Sequence, residues 1–319
     1  MKVKFSVVFA ALLLVVSSAV AESDYPVKPV KLIVPFPPGG VSDVVGRLLA
    51  EKWSAAWGQP VVIDNVPGAA GTIGLAKLAK SPPDGYAIAL PGDAATVVNV
   101  SLMANLPYDP LRDFAPIMQV GAPPNVLVVN KDLPVNNVAD LIALARARPG
   151  KLTYASSGIG TSQHLGGEFL AAMTGIDIVH VPYKDSYFSD LISGRVDFAF
   201  ANTVIALPQV RAGTVRALAV TSAGRAAVVP DLPPVGDTVP GFAVTPWFGL
   251  LAPAGTPPAI IAKIHGETAR ALNDAELRAK LVDRGIEIIG GTPEEFRALI
   301  ASEVPRIATL LKSRGVKPQ

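Results

Sequence analysis

Residues 35–43 read PFPPGGVSD and residues 156–164 read SSGIGTSQH, and each stretch separates an apolar, strand-like run from a helix-like run. Because glycine has no Cβ and reaches positive φ, such a turn lets backbone N–H groups approach a ligand closely. The helix that follows adds unpaired N–H groups and a partial positive charge. Either loop alone reads equally well as an ordinary strand-to-helix turn. Together they predict a two-jawed site for an anion such as a carboxylate, phosphate or sulfate.

The N-terminus has the pattern of a secretory signal peptide. Lys2 and Lys4 precede an apolar run at 7–16, and small residues end in AVA at 19–21, which predicts cleavage after Ala21. This run is too short to cross a bilayer, and no later stretch has about 18 uninterrupted apolar residues. The chain has no cysteine, so neither a lipid anchor nor disulfides are expected. We therefore expect a soluble protein exported to the periplasm.

The overall charge gives little indication of a charged partner. Without Lys2 and Lys4 the 28 basic residues fall to 26, which equals the number of acidic residues. No basic run with interleaved aromatics indicates a nucleic-acid partner. Only 6% of the residues are aromatic and 30 are prolines, which favours an α/β protein over a β-sandwich.

Strand-like and helix-like runs alternate along most of the chain. The predicted strands are 30–34, 61–64, 86–90, 117–120, 126–129, 152–155, 178–181, 196–200 and 215–220. The predicted helices are 41–57, 69–80, 138–148, 161–174, 187–193, 259–272, 275–284 and 293–314. This alternation, with near-continuous apolar strands, predicts mostly parallel sheets covered by helices on both faces.

The length exceeds what one hydrophobic core usually holds, which predicts two lobes. The sequence GAPPN at 121–125 and the proline-rich stretch 230–246 are the expected connections. We expect residues 1–21 to be the signal peptide, 22–121 plus 246–319 to form the first lobe, and 122–245 the second. Two crossings between the lobes would make a hinge.

Several further motifs resemble one receptor family. The motifs are YPVKPVKLIVPFPPGG (25–40), GQPVVIDNVPGAAGTIG (58–74), PDGYAIAL (83–90), LPYDPLRDFAPI (106–117), LTYASSGIGTSQHLGGE (152–168), IVHVPYK (178–184), VRALAVTSAGR (215–225), WFGLLAPAGTP (247–257) and TPEEF (292–296). In combination they resemble the extracytoplasmic solute receptors of tripartite tricarboxylate transporters, the Bug receptors. The resemblance implies a type II periplasmic-binding-protein fold, with two doubly wound lobes that close like a Venus flytrap on a small carboxylate. It also implies delivery to membrane transporter components, and we expect a monomer without a cofactor.

Three positions depart from the pattern of the family. Val66 stands where the family usually has an arginine, the connection after Lys184 is shorter, and Ala201 stands where an aspartate is common. These positions lie at loops and strand ends, where selectivity is expected. The identity of the acid therefore stays open.

The candidate ligand-binding residues fall into three groups. The first jaw comprises Phe36, Pro37, Gly39, Gly40, Val41, Ser42 and Asp43. The second jaw comprises Ser156, Ser157, Gly158, Gly160, Thr161 and His164. A selectivity wall comprises Asp93, Ala94, Lys184, Asp185, Asn202 and Thr203. Within this wall, Lys184 is the expected side-chain cation for a second carboxylate, and Asp185 would either neutralise it or accept an ammonium group.

Other chemistries fit the sequence less well. Gly158 and Gly160 begin a dinucleotide fingerprint whose third glycine is absent. His164 and Glu168 have the i, i+4 spacing of metal ligands, but no second pair completes a site, and polar packing at the helix start is preferred. Catalysis lacks a nucleophile motif, and Asp43 is better explained as an acid in a helix first turn. A sensor that signals to a membrane kinase is the second hypothesis, and an enzyme the third.

Overall fold

The computed structural model describes residues 25–183, 186–313 and 315. The predicted signal peptide and its cleavage site therefore lie outside the described residues, as do Lys184 and Asp185. None of the helices in the described part of the chain combines the length and the apolar character that a membrane crossing needs.

The strands in the described residues form two sheets. The first sheet contains β1 (Val30–Val34), β2 (Val61–Asn65), β3 (Ala87–Ala89), β4 (Phe114–Ala122), β10 (Phe248–Pro253) and β11 (Glu287–Gly290), in the order β11-β4-β10-β3-β1-β2. The second contains β5 (Asn125–Asn130), β6 (Thr153–Ser156), β7 (Val179–Pro182), β8 (Phe198–Asn202) and β9 (Val215–Val220), in the order β7-β6-β8-β5-β9. Each of the predicted strands overlaps one of these, whereas β10 and β11 were not predicted.

The prediction of mostly parallel sheets was wrong, because both sheets are mixed. Strand β1 runs parallel to β2 and β3, and β6 runs parallel to β7 and β8. Strand β10 is antiparallel to β3 and β4, β11 is antiparallel to β4, and β5 is antiparallel to β8 and β9. Strands β5 and β10 are buried along their whole length, so their apolar runs look like those of parallel strands.

Ten α-helices surround the sheets in the described part of the chain. They are α1 (Val41–Trp57), α2 (Thr72–Ala79), α3 (Asn99–Leu102), α4 (Val138–Ala147), α5 (Ser162–Thr174), α6 (Phe188–Ile192), α7 (Thr203–Arg211), α8 (Pro258–Asn273), α9 (Ala275–Val282) and α10 (Pro293–Ser313). The predicted helix 69–80 is interrupted, because Ala70 adopts a φ of 51° in a short 3₁₀ turn before α2. A π-helical turn at Ala94–Val98, α3 and α7 were not predicted.

The chain passes between the sheets twice. It leaves the first sheet at the end of β4 and enters the second at Asn125, and it returns between β9 and β10. Helix α10 packs against β4 of the first sheet and against α5 beside the second. From α10, Arg306 donates to the Ala243 carbonyl on the return segment at 3.1 Å, and its guanidinium lies 4.7 Å from the centre of the Phe169 ring on α5. This helix therefore contacts both sheets' elements and the segment that returns to the first sheet.

Candidate ligand-binding site

The first glycine loop joins β1 to α1, and Asp43 holds it in shape. Gly39 has a φ of +83°, and its N–H donates to Asp43 Oδ2 at 2.9 Å. Arg47 Nε donates to the same oxygen at 2.9 Å, and Asn65 Nδ2 donates to Asp43 Oδ1 at 2.9 Å. Burial opposes ionisation, but these hydrogen bonds outweigh it and hold the pKa of Asp43 below its usual value. Asp43 is thus an ionised group whose oxygens are engaged within the loop.

The helix start that follows has donors left over. Among the described residues, the N–H groups of Val41, Ser42 and Asp43 have no hydrogen-bond partner, as expected for the first turn of a helix. Gly40, before them, has an extended backbone and no side chain to cap the helix. Ser42 is only 8% exposed, and its hydroxyl also has no partner in the described part of the chain. The start of α1 therefore offers N–H groups and a positive end of the helix dipole to an anion.

The second glycine loop joins β6 to α5, and its own side chains satisfy most of its N–H groups. Three such bonds run from Ser157 N to Gln163 Oε1 (2.7 Å), from Gly158 N to Ser156 Oγ (3.0 Å) and from Gly160 N to His164 Nδ1 (3.2 Å). The sequence suggested that the glycine N–H groups themselves face the ligand. Instead, Asp43, Ser156 and His164 accept the N–H groups of Gly39, Gly158 and Gly160, and Gly40 N–H donates to Pro37 O at 3.4 Å. The free donors therefore lie in the first turns of the two helices.

Thr161 caps α5, and its hydroxyl accepts the N–H of His164 at 3.3 Å and donates to Gly158 O at 2.8 Å. The N–H groups of Ser162 and Gln163 remain without a partner among the described residues. Helix α5 therefore begins as α1 does: the glycine N–H groups of the preceding loop are bonded within the loop region, and N–H groups in the first turn of the helix are free in the described part of the chain. Ser162 and Gln163 were not among the predicted site residues, and their positions directly after the capping Thr161 are the signal that could have found them.

Asn125, the first residue of β5, lies behind the start of α5. It is fully buried, its Nδ2 donates to Ser162 Oγ at 3.0 Å, and its Oδ1 has no partner within the described chain. Strand pairing places it opposite Asn202 at the end of β8, the edge of the second sheet where β6 also ends. Asn125 was not predicted because residues 121–125 were interpreted as a connection, although a polar residue directly before the apolar run 126–129 was visible.

A cluster of buried polar side chains packs against the second loop. Tyr154 donates to Glu168 Oε1 at 2.8 Å, and His164 Nε2 lies 3.9 Å from the same oxygen. His180 Nε2 is 2.6 Å from Ser156 Oγ. Burial lowers the pKa of His164, and burial together with the nearby His164 lowers that of His180 to about 4. Both imidazoles are therefore neutral at pH 7, as the bond from Gly160 N–H to His164 Nδ1 requires.

This cluster has no metal-site geometry. In the described part of the chain, no group of three or more His, Cys, Asp or Glu residues is arranged to hold a metal ion. The i, i+4 pair His164 and Glu168 is instead part of the packing at the helix start.

Residues 92–102, which include α3, connect the two loops in space. The Phe36 ring of the first loop packs on Gly92, where a Cβ would lie 3.5 Å from Phe36 Cζ. At the other end, a Cβ on Gly160 would lie 2.6 Å from Leu102 Cδ1. The two loops, which lie more than a hundred residues apart in sequence, thus contact opposite ends of the same segment.

Asp93 and Ala94 begin this connecting stretch, and Asp93 faces α10. Its N–H donates to Trp247 O at 3.0 Å, and it lines a small cavity with Glu303 and Arg306. Burial, together with the charge of Glu303, raises the pKa of Asp93 to about 7. Asp93 therefore lies next to the crossing region as well as near the loops.

Asn202 and Thr203 lie at the predicted edge, but both side chains are engaged near the crossing. Asn202 Oδ1 caps α7 by accepting Val204 N at 3.0 Å, and its Nδ2 donates to Pro123 O at 3.4 Å. Thr203 is fully buried and donates to Gly285 O at 2.8 Å. The structure thus places these two residues in the contact between the sheets.

Comparisons with known proteins identify relatives along almost the whole chain. Residues 45–316 match the model of the tripartite tricarboxylate transporter family receptor. Protein BugT of Bordetella pertussis is 37% identical over 306 residues, which cover 95% of this chain and 94% of BugT. The structure of R. palustris Rpa4515 with adipate has a TM-score of 0.80 and 37% identity, covering 93% of this chain and all of that one. MatC of Rhodopseudomonas palustris with bound malate has a TM-score of 0.75 and 30% identity, covering 90% and 100%.

Proposed function

Because the chain belongs to the tripartite tricarboxylate transporter receptor family, we propose that it is a periplasmic receptor for a small carboxylate. The acid lies between two lobes, 22–121 plus 246–319 and 122–245, and the closed receptor delivers it to the membrane components of a tripartite transporter. It acts as a monomer, and no covalent step takes place. Closure is a shift of population toward the state in which both lobes contact the acid.

One observation carries this proposal. Helices α1 and α5 each begin with N–H groups that have no partner among the described residues, and residues 92–102 contact the loops before both helices. A carboxylate satisfies such donors and is stabilised by the positive end of a helix dipole. Two helix starts are suited to an acid with two carboxylates, or to one carboxylate held from both sides.

The chemistry of the relatives agrees with an acid of this kind. Rpa4515 holds adipate and MatC holds malate, and both are dicarboxylates. The carboxylates of this chain near the loops are poorly placed for acid–base catalysis. Asp43 accepts hydrogen bonds from three donors around the first loop. Glu168 is buried beside Tyr154 and His164, in the polar cluster that packs against the second loop. These engagements favour a receptor over an enzyme.

The test is a thermal-stability screen with an acid panel of acetate, benzoate, succinate, malate, adipate and citrate, each beside its amide. An acid present at 100 times its Kd should stabilise the protein by about 2.7 kcal/mol, and the matching amide should not. The proposal fails if ligand-free, folded protein is stabilised by no acid of the panel, or equally by the amides.

A further inference from the structure

Asn125 lies at the start of β5, next to the start of α5, and belongs to neither glycine loop. Its backbone is fixed by Thr221, which donates its N–H to Asn125 O at 2.9 Å and accepts Asn125 N–H on Oγ1 at 3.3 Å. The Asn125 side chain points to the start of α5, where its Nδ2 donates to Ser162 Oγ at 3.0 Å. A fully buried amide is thus bonded to a partly exposed serine at the first position of the helix.

This bond controls which way the Ser162 hydroxyl proton can point. A hydroxyl has one proton and two lone pairs. Because Asn125 donates to one lone pair, the proton of Ser162 is directed away from Asn125. The unpartnered N–H groups of Ser162 and Gln163 lie at the same helix start. We propose that Asn125 is a positioning residue, which fixes Ser162 as a hydroxyl donor to the carboxylate held at the start of α5. This inference rests on the proposed function.

A comparison within the same strand argues against a purely structural role for this amide. Asn130, at the other end of β5, has all its side-chain groups engaged: Nδ2 donates to Leu191 O (2.8 Å) and Ile192 O (3.0 Å), and Oδ1 accepts Asp132 N (2.9 Å). In Asn125 the buried Oδ1 has no partner in the described chain. A buried polar atom without a partner is unfavourable, so an apolar residue would serve stability better at position 125.

The experiment is a double-mutant cycle by isothermal titration, with those members of the acid panel that the wild-type protein binds. Ser162→Ala should weaken binding about tenfold, the loss expected for one charge-assisted hydrogen bond. Asn125→Leu should weaken binding by a smaller factor, because the Ser162 hydroxyl remains but is no longer oriented. Because Asn125 acts through Ser162, the double variant should bind no more weakly than Ser162→Ala. Ser162→Thr, which keeps the hydroxyl, should retain most of the affinity. Asn130→Leu is the matched control and should lower Tm without changing Kd.

Each other outcome overturns the inference. Losses that multiply in the double variant would show that Asn125 acts independently of Ser162, and a loss of affinity in Asn130→Leu would show a general effect of stability. Normal binding by Ser162→Ala alone is sufficient to reject it. This substitution is at a partly exposed position, so it remains informative if Asn125→Leu does not fold. If the wild type binds no acid of the panel, the proposed function itself is contradicted; if it binds and the variants bind equally well, only this inference fails.

Discussion

The Thr203 hydroxyl donates a 2.8 Å hydrogen bond to the carbonyl of Gly285, and this bond joins the two sheets at the crossing. Thr203 begins α7 directly after β8 of the second sheet, whereas Gly285 lies shortly before β11 of the first. Gly285 has a φ of +72°, and a Cβ there would lie 2.9 Å from Thr203 Oγ1. The contact therefore depends on glycine for both its backbone conformation and its space.

Gly285→Ala should destabilise the protein by more than the backbone conformation alone explains. The left-handed conformation costs alanine about 1–2 kcal/mol, and the added methyl group also displaces Thr203. The matched control is Gly213→Ala, because Gly213 has a φ of +68° and nothing within 4 Å of its Cβ position. Urea unfolding should show the larger loss for Gly285→Ala. Equal losses would mean that the Thr203 contact contributes nothing to stability.

Gly160→Val should reduce the magnitude of the free energy of acid binding by more than it lowers the free energy of unfolding. The new side chain meets Leu102 Cδ1, so it pushes the second loop away from the residues that lead to the first. Leu102→Ala removes the obstacle and should restore part of the affinity when combined with Gly160→Val, as measured by titration. Gly213→Val controls for the strain of a branched residue at positive φ. An absence of rescue would place the effect in the loop itself and not in its contact with Leu102.

Val41→Pro should remove one ligand donor while leaving α1 intact. Proline is tolerated at the first helical position, where its missing N–H has no helical partner, and Gly40 before it is already extended. We expect an acid to bind about tenfold more weakly, with Tm nearly unchanged. Ala275→Pro makes the same change at the first residue of α9, after an equally extended Asp274, and should leave binding unaltered. Unchanged affinity in Val41→Pro would remove this N–H from the site.

Asp93→Asn should stabilise the protein at alkaline pH relative to the wild type. The folded-state pKa of Asp93 is raised to about 7 from 3.8, so its favourable contribution is complete below pH 3.8 and is lost as pH rises through 7. Asparagine does not titrate and avoids this loss. The difference in unfolding free energy between variant and wild type should therefore grow by more than about 1 kcal/mol between pH 4 and pH 8. A constant difference across this range would contradict the raised pKa.

Much of the fold could be predicted because apolar runs and helix signals are local. Strand β10 was missed because its FGLLAP follows directly on the proline-rich stretch that was expected to connect the lobes. Strand β11 was missed because its EIIG is a short run between two predicted helices. The direction of β5 could not be read from its sequence, because a strand buried on both faces has the same pattern in either orientation.

The candidate site was predictable at the level of loops and not of atoms. Glycine-rich turns before helices indicated an anion site, but the sequence could not show that Asp43, Ser156 and His164 fold back onto the glycine N–H groups. Those bonds depend on rotamers that form only in the packed structure. Asn125 was missed because residues 121–125 were interpreted as a connection, and its partner Ser162 is 37 residues away in sequence.

Backbone hydrogen exchange tests the central claim most directly, by following individual amides with and without a saturating acid of the panel. If one acid is held between the two helix starts, exchange should slow for Val41 and Ser42 at α1 and also for Ser162 and Gln163 at α5. The N–H groups of Ala275 and Glu276, at the start of α9, should exchange at an unchanged rate. Protection at one helix start alone, or at neither while the acid is bound, would contradict a site shared by the two loops.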